Sequence, residues 1–92
     1  MSKLNESDIL RGLKSLSNWI YADNRIEKDY TFKNFAEALG FINRVGALAE
    51  KINHHPEIIN EYSSVKLRLT THDANGITQK DFDLALAVDL IA

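Results

Sequence analysis

The sequence predicts an α+β fold, a two-layer sandwich in which an antiparallel sheet of about four strands carries three helices on one face. Three observations predict it. Apolar residues recur at spacings of three and four in three separated stretches, the mark of helices with one buried side. Between those stretches the rhythm changes to a period of two, as in strands with one buried face. The connections are short, which favours antiparallel neighbours and helices gathered on one side of the sheet.

In chain order, Asn5 or Ser7 can cap a first helix whose stripe is Ile9, Leu10, Leu13 and Leu16, with Ser17 and Asn18 marking its end. The stripe should face the sheet. The next segment, WIYADNRIEKDYTF, is rich in aromatic and β-branched residues and is broken by ADN, so it reads as a hairpin. Its second arm places Ile26, Tyr30 and Phe32 on one face and Arg25, Glu27 and Asp29 on the other. Thr31 or Asn34 then opens the longest helix, along which Phe35, Leu39, Ile42, Val45, Ala49 and Ile52 keep the helical repeat. Gly40 and Gly46 inside it each cost on the order of 1 kcal/mol relative to alanine, and close packing against them would explain their presence. Pro56 discourages continuation of the helix past His55.

After that turn YSSVKLRLTTH alternates, with Val65, Leu67 and Leu69 on one side and Lys66, Arg68 and Thr70 on the other, until DANG ends it. Thr78 and Asp81 have the spacing of a capping box, and Phe82, Leu84, Ala85, Val88 and Ile91 form the apolar side of a closing helix. The running order is helix, strand, strand, helix, strand region, helix. With 92 residues and no repeat, low-complexity tract or linker, residues 1–92 are expected to form one domain. A chain of this size buries only about 60–65% of the surface it exposes when unfolded, so one two-layer core is the limit.

Composition narrows the function classes. Net charge is −2 with both signs interspersed, so no cationic face is gathered for nucleic-acid binding. No apolar run approaches the ~20 residues needed to cross a bilayer. There is no cysteine, and no basic-then-apolar leader opens the chain, so a reducing cytoplasm is the expected compartment, with a nuclear or organellar one open. Thiolate chemistry is excluded, leaving histidines, carboxylates, hydroxyls and backbone groups.

All three histidines, His54, His55 and His72, fall at element ends rather than inside apolar stripes, so a shared site is plausible. An imidazole both gives and takes a proton near neutral pH. Singly, a loop histidine is more often a solvated hydrogen bonder. A three-histidine zinc centre is the rival, but adjacent histidines diverge, and metal-binding pairs on helices usually stand about four apart. Asp81 reads first as a helix cap and Glu50 as a solvated helix residue, while Thr70, Thr71 and Asn75 could meet a polar ligand or only their own turn.

The ordered series Glu50, His54, His55, Pro56, Tyr62, His72 and Asp81 resembles the signature of the pterin-4a-carbinolamine dehydratases, also called 4a-hydroxytetrahydrobiopterin dehydratases. TFKNFAEALGFINRVGALAEKINHHPEIINEY and LTTHDANGITQKDFDLA look like that family's central helix and carboxy-terminal segment, and Trp19 with the hairpin is similar more loosely. The resemblance implies dehydration of a 4a-hydroxytetrahydropterin to the quinonoid dihydropterin and water, in support of tetrahydrobiopterin recycling, with no redox cofactor or metal. It implies His54 and His72 as the general acid/base pair and His55 as a binder and orienter of the pterin. His54, His55, Pro56, Thr71, His72, Asp73 and Ala74 would border the substrate, with Glu50 or Asp81 orienting an imidazole. Asn53 departs from the aspartate that often precedes the histidine pair, and Ile58 and Ile59 replace a more aromatic stretch. The family forms dimers or tetramers, so a homo-oligomer is expected. Its animal members also serve as dimerisation partners of homeodomain transcription factors, which makes a protein-interaction module the alternative function. That role would need an exposed apolar face on the long helix, whereas a stripe covering the protein's own sheet is the favoured expectation.

Overall fold

The computed structural model describes residues 2–92. Its elements are α1 (Glu6–Leu13), β1 (Ile20–Ala22), β2 (Arg25–Thr31), α2 (Phe35–Ile52), β3 (Glu57–Glu61), β4 (Ser64–Leu69), a 3-10 turn (His72–Ala74) and α3 (Gln79–Ile91). The strands form one sheet in the order β1-β2-β4-β3, with every pair antiparallel. The α+β class, with its four-stranded antiparallel sheet and three helices, is the predicted one.

Strand alternation sets the two faces of the sheet. Val65, Leu67 and Leu69 of β4 are buried with Ile26 of β2 in the core. On the opposite face Lys66 lies 3.4 Å from Glu27, and Arg68 lies 3.1 Å from Glu57. The hairpin predicted around ADN turns at Asp23 and Asn24, with φ of 55° and 60°, the geometry whose twist suits a two-residue connection. Asn5 is the cap of α1, accepting from the Asp8 amide at 2.8 Å, and Asn34 caps α2 by accepting from the Glu37 amide at 2.9 Å.

Three expectations are corrected. Helix α1 stops at Leu13, and Leu10 is half exposed rather than part of the stripe. In α2 the covered face is Ala38, Phe41, Val45 and Ala49, while Phe35 and Leu39 stand in solvent at 46% and 41% exposure. Helix α2 therefore has two apolar stripes, and the one that contacts the sheet is set by Phe41, whose ring packs tilted against Tyr30 and Phe32 at 4.6 and 4.9 Å between centroids. Close packing at the helix glycines is also absent within this chain: a methyl group on Gly46 would meet nothing within 4 Å, and one on Gly40 only the end of Arg44. The close approach is instead at Gly12, where an added Cβ would lie 2.8 Å from the Phe82 ring.

Strand β3 is hidden in the sequence pattern because Ile58 and Ile59 are adjacent, which masks the alternation. Ile58 packs against the core and Ile59 faces out. A second feature hidden from the pattern is Asp89 of α3. Its carboxylate accepts from the Ser17 amide (2.9 Å), the Trp19 indole (2.9 Å) and the Lys28 ammonium (3.3 Å), tying three elements together where Lys28 points inward. Tyr30 stands beside them with its hydroxyl unpartnered, and burial, helped by Asp89, holds its phenol above the usual tyrosine range. Asp89→Ala would strand a buried indole N–H and an ammonium that is 13% exposed. The expected loss is roughly 3 kcal/mol in urea unfolding followed by the single tryptophan's fluorescence. A loss below about 1 kcal/mol would reduce this cluster to a surface pair.

Candidate active site

Helix α2 ends ahead of the histidine pair because Asn53 adopts the left-handed conformation, φ 58° and ψ 43°, which asparagine tolerates better than most residues. The His54 amide then bonds back to the Ala49 carbonyl at 3.1 Å, closing the helix. The stop thus comes from Asn53, earlier than Pro56, which instead leads the chain into β3.

His54 is the more enclosed of the pair, its side chain 10% exposed, and its Nε2 lies 2.6 Å from Asp81 Oδ1. A carboxylate only accepts, so Nε2 carries the proton of the neutral ring and Nδ1 holds the free lone pair. Asp81 is fully buried. Its Oδ2 accepts from Thr71 Oγ1 at 2.8 Å and from the Thr78 amide at 2.9 Å. Because Thr71 gives its one hydroxyl proton to Asp81, the 2.8 Å contact between the two threonine hydroxyls requires Thr78 to donate to Thr71. Asp81 is therefore both the predicted helix cap and the partner of His54. His55 is exposed, and its Nε2 bonds the Glu50 carboxylate on the last full turn of α2.

His72 opens the 3-10 turn and is exposed. Its loop is held by a two-bond bridge, Thr71 N–H to the Gly76 carbonyl at 2.9 Å and the reverse at 3.3 Å, and by Asn75 in the left-handed conformation at φ 59°. Thr71 links this loop to His54 through Asp81.

The three histidines border one depression of about 360 Å³, with Thr70, Thr71 and Asp73 between them. Asn53 and Lys80 complete its rim, and sequence reasoning had placed neither in the site. Only the capping signal at Thr78, two residues before Lys80, could have pointed there. Pro56 and Ala74 are not among the residues lining it. Tyr62 is not brought in either. It lies just past the other end of β3, about 20 Å along the chain from Pro56 at about 3.3 Å per residue. A larger groove of about 520 Å³ between α1 and α3 contains no histidine. Among the described residues no three histidine, aspartate or glutamate side chains are arranged to hold a metal ion.

The family model for pterin 4 alpha carbinolamine dehydratase matches residues 2–91. The chain belongs to this dehydratase family. A relative from Prochlorococcus marinus (strain MIT 9313), which carries the dehydratase name provisionally, is 47% identical over 78 residues, covering 85% of this chain and 81% of that protein. One from Solibacter usitatus (strain Ellin6076), named in the same way, is 43% identical over 91 residues, 99% of this chain and 96% of the other. Among solved structures, a transcriptional coactivator/pterin dehydratase from Brucella melitensis superposes with a TM-score of 0.94 at 36% identity, covering 99% of both chains. A pterin dehydratase-like protein described as a RuBisCO assembly factor in the alpha-carboxysome shares the fold, with a TM-score of 0.66 at 20% identity over 84% of this chain and 89% of that one. For a pterin carbinolamine dehydratase the depression has suitable chemistry: imidazoles of contrasting exposure, a fixed tautomer at His54, and donors and acceptors for a flat heterocycle.

Proposed function

We propose that this protein dehydrates a 4a-hydroxytetrahydropterin to the quinonoid dihydropterin and water, and so supports tetrahydrobiopterin recycling. The observation that carries the reading is the convergence of His54, His55 and His72 on one depression, from the turn before β3 and the turn after β4. The carbon 4a hydroxyl leaves as water after taking a proton. The lone pair of the adjacent ring nitrogen forms the new carbon–nitrogen double bond, and a ring N–H proton then leaves to a base. His54 and His72 are the acid/base pair, His55 binds and orients the ring, and Thr71, His72 and Asp73 border it. Asp81 orients His54 and Glu50 orients His55, as carboxylates behind reactive imidazoles do. Pro56 and Ala74 fix the backbone on either side. No metal or redox cofactor enters this chemistry. Stopped-flow absorbance of carbinolamine decay tests the reading, because the uncatalysed reaction gives a measurable baseline. Decay at that baseline rate with the protein present would end it.

The protein acts as a homo-oligomer in this proposal. Strand β3 is an unpaired sheet edge, and the α2 stripe of Phe35 and Leu39 is uncovered. Sedimentation at micromolar concentration is expected to show a dimer or tetramer rather than a 10.4 kDa species. The same stripe favours one second reading, a protein-interaction module that pairs with a transcription factor. Retention of a helical protein partner, lost on Leu39→Asp, would support it. Among the described residues no helix is long and apolar enough to cross a membrane, and the proposed setting is the cytoplasm.

A further inference from the structure

Thr70, Thr71 and His72 line a second cavity beside the histidine depression, of about 160 Å³. Its remaining walls are Asp23, Asn24 and Arg25 from the β1–β2 turn, with Asn75 and Gly76. This turn is held in place. Thr70 Oγ1 donates to the Asn24 carbonyl at 3.2 Å, Asn24 Nδ2 donates to the Asn75 carbonyl at 3.2 Å, and Arg68 lies 3.3 Å from Asp23. His72 thus belongs to two preformed cavities at once.

We propose that the smaller cavity is a subsite for a short hydroxylated substituent on carbon 6 of the pterin, selected by Arg25. The inference rests on the dehydratase reading. Size assigns the ring to the 360 Å³ depression and a substituent to the 160 Å³ one. Connectivity agrees, since carbon 6 is bonded to the nitrogen that neighbours carbon 4a, and a histidine reaching the reacting edge is also close to that substituent. The turn wall is entirely polar at Asp23, Asn24 and Arg25, and the guanidinium lies 3.7 Å from the Asp23 carboxylate, so their charges offset. A neutral group that both donates and accepts suits such a wall, as a diol does. An alkyl substituent would displace water from these groups and return no hydrogen bond. Arg25 is 29% and Asp23 81% exposed at the side chain, so solvent competes and the discrimination is that of a single hydrogen bond, about 2- to 10-fold.

The test compares the carbinolamines of 6-(1,2-dihydroxypropyl)- and 6-methyl-tetrahydropterin as kcat/KM ratios for wild type and Arg25→Ala. Calorimetric Kd values for the two corresponding dihydropterins, which do not react, are measured in parallel. Wild type is expected to favour the hydroxylated compound about 2- to 10-fold in both measurements, and Arg25→Ala to bring both ratios near one, with circular dichroism unchanged. A wild-type ratio near one, or a variant that weakens both compounds alike, would overturn the subsite. Binding of both dihydropterins without acceleration of either carbinolamine would sink the dehydratase reading alone, and the binding ratio would still decide the subsite.

Discussion

His72→Ala is expected to slow carbinolamine dehydration by roughly 10²–10⁴-fold, the range for removing a group that moves a proton in the chemical step. Stability should be unaffected. His72 is exposed and its loop is held by the Thr71–Gly76 bridge and by Asn75, with no side-chain hydrogen bond from the imidazole itself. Loss of activity at an unchanged urea midpoint therefore isolates chemistry from folding. His54→Ala should show a similar rate loss, but it also removes a donor from buried Asp81, so its midpoint should fall. A rate for His72→Ala within about twofold of wild type would remove this histidine from the mechanism.

Asp81→Asn is the second large effect. The amide keeps the carboxylate's shape, and its oxygen can still accept from the Thr71 hydroxyl and the Thr78 amide. The other position becomes an NH₂ donor facing His54 Nε2 at 2.6 Å. Two donors cannot share that contact, so the His54 proton moves to Nδ1 and the lone pair turns from the cleft toward the asparagine. In a serine-protease triad the same exchange lowers kcat by about 10⁴, and a loss of roughly 10²–10⁴ is expected here. Imidazole ¹⁵N shifts should report the tautomer change. Unchanged shifts together with a normal rate would show that Asp81 serves only as the α3 cap.

Much of the arrangement was legible because it follows from local chemistry. Asn5 and Asn34 could be read as caps, β4 as a strand buried on one side, and Thr78 with Asp81 as a capping box, since each depends on neighbours within four residues. The proximity of His54 and His72 was suggested by their places at element ends and by the family signature, but the β3–β4 pairing that sets Glu57 opposite Arg68 and so brings the two turns together was not legible. Three features depended on tertiary packing. Phe35 and Leu39 fit the helical repeat as well as Phe41 does, and only the aromatic pair Tyr30 and Phe32 decides which stripe is covered. The Asp89 cluster joins residues some 60 to 70 positions apart. Lys80 reaches the rim because α3 begins beside the histidine turn.

Six described residues other than glycine hold positive φ, and five of them are asparagine or aspartate, whose short polar side chains relieve that conformation. Tyr62 is the sixth, at φ 51° in the β3–β4 connection, with 66% of its surface in water. A bulky residue there holds roughly 1–2 kcal/mol of backbone strain that a glycine would release. Within the chain Asn60 offsets part of it, its amide donating to the Tyr62 carbonyl at 3.1 Å and to the Ser64 carbonyl at 3.0 Å, so one asparagine side chain holds the β3–β4 corner that the tyrosine strains.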